Sequence, residues 1–216
     1  MAYNQTIMLE EYHVKITRQA LEQCFSAPAL ANIIEANLHQ DCLLGQMGHD
    51  EYHFDNNAFE KSHAYIEEQR SLVITSLQTG DKVSAWSAFG RLTHTAQDFY
   101  AHSNYIDMWL SCQPGDAPPA PSAVDPVDIA LIDSPDLRSG KIYLPLEALT
   151  AVDILTLLVK PLLPRDSHAW MNIDSPERGF KFEYAFHAAL KRTEIEFERT
   201  TAGLSEDLLG VFVDRY

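Results

Sequence analysis

One eleven-residue run constrains this chain more than any other stretch, because it places three metal-ligand side chains at four-residue steps. Residues 94–104 read HTAQDFYAHSN, so His94, Asp98 and His102 fall on one face of an α-helix. Imidazole and carboxylate groups are good ligands for zinc and similar divalent ions. His94 and His102 would lie about 12 Å apart along the helix axis. That separation predicts two neighbouring ions, one at each histidine, with Asp98 between them.

The residues around these side chains predict that the helix is buried. Phe99, Tyr100 and Ala101 are apolar, so both sides of the helix would face the protein interior. Ionisable groups in such a place need partners, and a metal ion supplies them. The alternative is a metal-free His–Asp pair of the kind that is common on helices.

Composition indicates a folded chain and argues against some partners. The 216 residues are 46% hydrophobic and carry a formal charge of −15, which disfavours electrostatic binding to nucleic acid or to an anionic membrane. The three cysteines form no CxxC pair and predict no disulfide framework. The N-terminal residues show no basic and apolar leader pattern, and no transmembrane segment is evident. The sequence therefore predicts a cytoplasmic location.

Apolar periodicity predicts an all-α fold, a single multi-helix bundle that spans residues 1–216. Prolines interrupt the pattern between about 111 and 145, which predicts an extended insertion that forms a lid or wraps over the helices. Asp81 is the expected N-cap of the helix that carries the 94–104 run. The predicted helices cover residues 11–25, 28–44, 58–77, 82–110, 146–163, 180–201 and 206–213.

Further ligand-type residues stand before and after the central run. The N-terminal half contains His13, Asp41, His53 and Asp55. His53 lies between Tyr52 and Phe54, which should hold its loop against the core. On the last long helix, Glu183 and His187 are four residues apart and share a face. An exposed Glu–His pair is the alternative interpretation there.

A longer run around the central motif resembles a known superfamily. Residues 90–104, GRLTHTAQDFYAHSN, resemble the signature of HET-C-like proteins, which are related to zinc-dependent phospholipases C and, more distantly, to zinc-dependent single-strand nucleases. Weaker matches occur in the expected order at residues 11–21, 53–55, 137–140 and 172–176. The resemblance implies a helical fold of the phospholipase C type built around two or three zinc ions, or another divalent transition metal.

The resemblance also implies a set of metal ligands. One ion would be held by Asp41, His53, His94 and Asp98. A second would be held by Asp98 and His102 together with Glu183 or His187, which present the family's final ligand pair in reversed order. His13 would contact a third ion.

The predicted activity is that of a metal-dependent phosphoric ester hydrolase. A metal-activated water would attack a phosphodiester or phosphomonoester, small-molecule or lipid, with Asp55 or Asp41 orienting the water as general base. Two alternatives stay open. One is a non-hydrolytic HET-C-like protein that acts through partner or membrane contact, and the other is the same metal scaffold running different chemistry on a small molecule.

Overall fold

The protein is an all-α bundle, as the apolar periodicity predicts. The structure, a computed structural model, describes residues 10–42, 48–115, 117–149 and 153–215. Within these ranges no β-strand is present, and only two isolated β-bridges occur. The α-helices are α1 Glu10–Leu21, α2 Ala27–Leu38, α3 Asp50–His53, α4 Phe59–Gln78, α5 Lys82–His102, α6 Tyr105–Ser111, α7 Ile129–Ile132, α8 Leu146–Leu149, α9 Asp153–Val159, α10 His168–Met171, α11 Lys181–Thr201 and α12 Glu206–Val213.

Helix α5 is the central element of the bundle. It packs against α2, α4 and α11, and nearly every residue from Ala85 to His102 is buried. Gly90 lets α2 approach closely, because a Cβ at this position would lie 2.3 Å from the Ile33 carbonyl oxygen. A helix buried on all sides can hold polar groups only if they find partners inside the protein.

Some helix boundaries match the predicted ones and others differ. Asp81 caps α5 as predicted, accepting a hydrogen bond from the Ser84 N–H at 3.0 Å. Helix α1 ends at Leu21 rather than at residue 25, and α2 ends at Leu38, where a 3₁₀ turn follows. The predicted end of the second helix, Leu44, lies outside the described residues.

The prediction of one helix from 82 to 110 is wrong, because α5 ends at His102. The carbonyl of His102 accepts the Gly140 N–H at 3.0 Å, and the carbonyl of Ala101 accepts the Ile173 N–H at 2.9 Å. Distant segments therefore take two acceptors that a continuing helix would have used. Ser103 is extended, and α6 starts two residues later.

The proline-rich insertion wraps over the helices. Two buried tyrosines of the central region fix its backbone, since the Tyr100 and Tyr105 hydroxyls donate to the carbonyls of Pro126 and Asp125, each at 2.6 Å. Lys191 on α11 donates to the Val124 carbonyl at 2.7 Å. Apart from a 3₁₀ turn and α7, the described part of the insertion is irregular.

The region after the insertion is less regular than predicted. Instead of one helix over 146–163, the structure has α8, α9 and a 3₁₀ turn at Lys160–Leu162. Residues 165–179, where no helix was predicted, contain α10. Val159, Leu163 and Ala169 form a small hydrophobic cluster of their own, separate from the main core.

Two further observations concern membrane spans and cysteines. No helix among the described residues combines the length and apolarity needed to span a membrane. The thiols of Cys24, Cys42 and Cys112 are all free.

Candidate metal centre

The central run forms one buried face, as its spacing predicts. His94, Asp98 and His102 all lie on α5, with exposed fractions of 0%, 0% and 2%. These groups could not be hydrated in the folded state, so each depends on partners contributed by other segments. The partners divide them into two clusters.

The first cluster consists of His13, Asp41, His53, His94 and Asp98. Asp98 is its centre: its Oδ2 lies 2.8 Å from His53 Nδ1 and 3.1 Å from His94 Nε2. Its other oxygen, Oδ1, lies 3.3 Å from His13 Nε2. Asp41 faces the same point, with Oδ1 3.6 Å from His94 Nε2. The structure thus brings together the four residues predicted for one ion, and adds His13 to them.

The distances in the first cluster fit a shared cation. Donors bound at 2.0–2.1 Å to a tetrahedral zinc ion lie about 3.3–3.4 Å from one another. Asp41, His53, His94 and Asp98 each offer one ligand atom, and these atoms lie within 4.8 Å of one another. His94 Nε2 and His53 Nδ1 are only 3.1 Å apart. Two imidazole nitrogens this close require either a proton on one of them or a cation between them.

His13 is oriented for binding by a neighbour on α5. Its Nδ1 lies 2.6 Å from Gln97 Oε1, and the Gln97 amide nitrogen donates to the Thr17 and Thr193 hydroxyls. Because Gln97 Oε1 can only accept, Nδ1 carries the proton, and Nε2, 3.3 Å from Asp98 Oδ1, is the nitrogen left to bind a cation or a second proton. This Nε2 has no hydrogen-bond partner in the part of the chain that the structure describes. Ligating histidines in metal sites are commonly held in this way.

The second cluster consists of Asp55, His102 and His168. Asp55 Oδ1 lies 2.9 Å from His168 Nδ1 and 3.4 Å from His102 Nδ1. The His102 Nδ1–H also donates to the His53 carbonyl at 3.0 Å, which leaves Nε2 with the lone pair. No described residue bonds to this Nε2, although it is buried. These three side chains likewise offer ligand atoms within 4.8 Å of one another.

The two clusters are neighbours. The rings of His53 and His102 have centroids 6.4 Å apart, and Asp55 follows His53 by two residues. Left-handed backbone at Phe54, with a φ of 57°, turns the chain so that His53 and Asp55 serve different clusters. Both clusters could hold metal ions, which agrees with the predicted metal binding. The identity of the metal stays a prediction.

Electrostatics in both clusters favour cations. Burial lowers the pKa of His53, but the charges and hydrogen bond of Asp98 and Asp41 outweigh it and raise the pKa to about 9. Against the same burial effect, Asp55 raises the pKa of His168 to about 9. Burial would raise the pKa of Asp98, but the surrounding histidines hold it well below its usual range. Asp98 thus stays ionised and retains positive charge beside it, as protons or as metal ions.

The structure does not bring the predicted second ligand set together. Glu183 is exposed, and His187 lies beside Phe186; neither belongs to a donor group that the structure describes. Asp98 is grouped with Asp41, His53 and His94, whereas His102 is grouped with Asp55 and His168. The periodicity of α11 turns Glu183 to solvent, while its neighbours Phe182 and Tyr184 are buried. Asp55, predicted as a base, lies among the donors.

His168 is the site residue that sequence reasoning missed. It is 6% exposed and begins α10, in a region where no helix was predicted. One signal could have pointed to it, since the segment 172–176, which resembles HET-C-type sequence, follows four residues later. A strand-like segment, residues 138–142, holds this region in place: its Lys141 carbonyl accepts the His168 N–H at 2.9 Å.

Comparison with known proteins gives one match. Residues 8–113 match the family described as the VWA7 N-terminal domain, a stretch of just under half of the chain. Neither the curated proteins nor the solved structures gave a match. The matched stretch contains every residue of the first cluster, and from the second it contains Asp55 and His102 but not His168. The resemblance to HET-C-like proteins is not tested by this match and stays a prediction. The chain is therefore similar to the VWA7 N-terminal domain family over α1 to α6.

Proposed function

We propose that the protein is a metal-dependent phosphoesterase of the phospholipase C type, with zinc as the first expected metal. The observation that carries the proposal is the pair of adjacent, buried His/Asp clusters, each with an imidazole nitrogen that lacks a partner among the described residues. Adjacent metal sites of this kind are common in enzymes that hydrolyse phosphate esters. The resemblance of residues 90–104 to the HET-C-like signature supports the same class.

The two clusters differ in a way that suggests different roles. The first offers four ligand atoms from Asp41, His53, His94 and Asp98, with His13 beside them, and four protein ligands are typical of a structural ion. The second offers three, which is the number found at catalytic zinc sites that keep one position open. In our proposal the first cluster organises α1, α3 and α5, and the second is the reactive one.

The residues of the second cluster would share the work of binding and orientation. A divalent ion there supplies Lewis acidity, which acidifies water and neutralises charge on phosphate oxygens. His102 is fixed by the His53 carbonyl, and His168 is fixed by Asp55 and by its own backbone bond to Lys141. Asp55 and Asp41 were predicted as bases, and Asp55 is the one that belongs to this reactive cluster.

The first cluster, whose ligands can all come from the protein, also favours a second candidate function without hydrolysis. If only that cluster binds metal, the ion is structural, and the non-hydrolytic HET-C-like role in partner or membrane contact becomes the better description. The number of ions per chain separates the two candidates.

The test combines metal analysis with a substrate panel. Protein purified without chelator is analysed for metal and offered phosphatidylcholine, 4-nitrophenyl phosphate, bis(4-nitrophenyl) phosphate and single-stranded DNA. We expect two ions per chain and turnover of at least one phosphoester. His168→Ala should lose one ion and all turnover. His187→Ala is the matched control, because His187 lies outside both clusters, and it should keep both. Metal-loaded protein that turns over no compound of the panel would exclude the hydrolase.

A further inference from the structure

A cavity beside the second cluster collects positive charge in an acidic protein. It has a volume of about 520 Å³ and lies where the start of α11 meets the α10 region and the turn between α5 and α6. Its lining includes four cations: Lys160, Arg165, Arg178 and Lys181. The formal charge of the whole chain is −15, so a cluster of four positive side chains is the opposite of the chain's overall charge.

Two of these cations have partners within the protein. Lys181 forms a salt bridge with Asp107, which also lines the cavity. Arg178 donates from Nη1 to the Ala169 carbonyl at 3.2 Å, and its Nε lies 3.7 Å from Asp174 Oδ1. They frame the cavity and leave the other two cations to determine its charge.

Lys160 and Arg165 form no ion pair with any residue in the described ranges. Both lie against the ring of Trp170, with the Lys160 ammonium 4.7 Å and the Arg165 guanidinium carbon 3.8 Å from its centroid. The indole is itself fixed, because Trp170 Nε1 donates to the Lys160 carbonyl at 2.9 Å. The aromatic ring therefore positions two cations without neutralising them.

The cations are close enough to affect one another. Burial, and then the charges of Arg178 and Arg165, lower the pKa of Lys160 to about 8. The nearby carboxylates of Asp174 and Glu147 do not offset burial and the two guanidinium charges. Asp107 is already paired with Lys181, and Glu177 is the remaining acid of the lining.

A buried amide in the same wall points independently to a ligand. Asn172 is only 2% exposed, and neither its Oδ1 nor its Nδ2 has a hydrogen-bond partner among the residues that the structure describes. Burying an amide without partners is costly, and native proteins seldom do it without a bound group to satisfy it. Asn172 lines the cavity, so its amide N–H can donate to an oxygen atom bound there.

We propose that this cavity binds a phosphate group, carried by a soluble phosphate compound or by a lipid head group. Lys160 and Arg165 supply the charge, Asn172 supplies a hydrogen bond, and Arg guanidinium is well matched to phosphate oxygens. The cavity borders the second cluster, because Ser103 follows His102 and Asn172 is four residues beyond His168. The binding site stands on its own observations, and only its use in delivering a phosphoester to the metal centre rests on the proposed function.

Calorimetric titration of the metal-loaded protein with inorganic phosphate tests the proposal. We expect Arg165→Gln and Lys160→Gln each to weaken binding about tenfold, as loss of one charge-assisted contact predicts, with metal content unchanged. Lys15→Gln removes the same charge from an exposed site on α1 and should bind as the wild type does. Asn172→Leu should weaken binding without changing the net charge.

A second measurement separates the two sources of the phosphate group. Leu157 and Leu158, 81% and 70% exposed on α9, make a lipid surface a reasonable source, so vesicles of phosphatidylcholine with phosphatidylglycerol are sedimented with the same variants. An effect of Arg165→Gln on inorganic phosphate identifies a soluble ligand, and an effect on vesicles alone identifies a head group. If Arg165→Gln and Lys160→Gln match Lys15→Gln in both measurements, the proposal is wrong.

Failure of the cavity proposal can be distinguished from failure of the proposed function. Phosphate binding that depends on Arg165 in a protein without hydrolase activity would leave the cavity assignment intact. If Arg165→Gln changes neither hydrolysis nor phosphate binding, the cavity is not a phosphate site, and the proposed metal centre is unaffected by that result.

Discussion

Gly140 lies against His168 so closely that a Cβ added to Gly140 would be 2.6 Å from the His168 Cα and 3.0 Å from its backbone nitrogen. Both contacts are with backbone, which cannot turn aside as a flexible side chain can. The segment 138–142 therefore fixes the position of His168, and with it the geometry of the second cluster.

Gly140→Ala should disrupt the second cluster and spare the first. The added methyl group has to push α10 away from Asp55, at a cost of about 1–3 kcal/mol of unfolding free energy. We expect metal analysis to show one ion per chain instead of two, with phosphoesterase activity lost. Gly203→Ala is the control, because a Cβ at Gly203 meets no atom within 4 Å. Two retained ions in Gly140→Ala would show that His168 is not positioned in this way.

Gln97→Met should weaken metal binding at the first cluster, although Gln97 is not itself a donor. Without the Gln97 acceptor, His13 loses the bond that fixes its Nδ1–H and directs Nε2 toward Asp98. Loss of such a supporting residue typically lowers metal affinity about 10- to 100-fold. The affinity is measured by competition with a chromophoric chelator. Gln69→Met removes another buried glutamine, one that accepts from Arg91, and should leave the affinity unchanged. Equal affinities in the two variants would contradict a supporting role for Gln97.

Chelation of the metal should destabilise the fold. A ligand that binds only the folded state stabilises it by about 4 kcal/mol when its free concentration is 1,000 times the dissociation constant. We expect EDTA to lower the melting temperature of the wild type and to change it much less in His94→Ala, which removes a central donor. Calorimetry measures the melting temperatures of the wild type and of His94→Ala with and without EDTA. A wild-type melting temperature that does not respond to EDTA would mean that neither cluster binds metal in the folded protein.

The pH dependence of stability should reveal a buried network that lies outside both clusters. Glu196 on α11 is fully buried and accepts hydrogen bonds from Arg192 Nε at 2.5 Å and from Arg70 Nη2 at 2.7 Å. Burial would raise the pKa of Glu196, but the charges of Arg192 and Arg70 outweigh burial and lower it. The lowered pKa means that stability is present above the unfolded pKa, about 4.3, and is lost as pH falls through the folded value.

Glu196→Gln should therefore cost about 3–5 kcal/mol at pH 7, because Arg192 stays buried without its counter-charge. The difference from the wild type should shrink at acid pH, where Glu196 becomes protonated. Urea unfolding at pH 7 and below pH 4 measures both values. Glu60→Gln, on the exposed start of α4, should have little effect at either pH. A constant difference at all pH values would exclude the ion-pair explanation.

Short-range patterns were sufficient for much of the fold. The spacing of apolar residues predicted the helices now seen as α1, α2, α4, α5, α11 and α12, and Asp81 marked the start of α5. The same spacing predicted that His94, Asp98 and His102 share a buried face. Helix positions, the N-cap and the shared face are properties of the α-helix itself, so they can be predicted from residues that are neighbours in the chain.

Grouping of the donors required more than periodicity. The set Asp41, His53, His94 and Asp98 was predicted from the resemblance to HET-C-like proteins, and the structure places these four residues together. The assignment of Glu183 and His187 rested on the same resemblance, and the structure leaves both outside the clusters. A helical pair on one face shows which residues are neighbours on the helix, and it does not show toward which partner that face turns.

The sequence by itself determined that this protein is helical, that α5 is buried and that its polar face carries metal-type ligands, because these follow from contacts within three or four residues. Only the tertiary structure decided that α5 ends at His102, that His102 pairs with Asp55 and His168 instead of sharing Asp98, and that Gly140 holds α10 in place. Each of these depends on a contact between segments that are far apart in the chain. Such contacts form when buried backbone and side-chain groups find partners, and a local pattern does not specify which distant group will supply them.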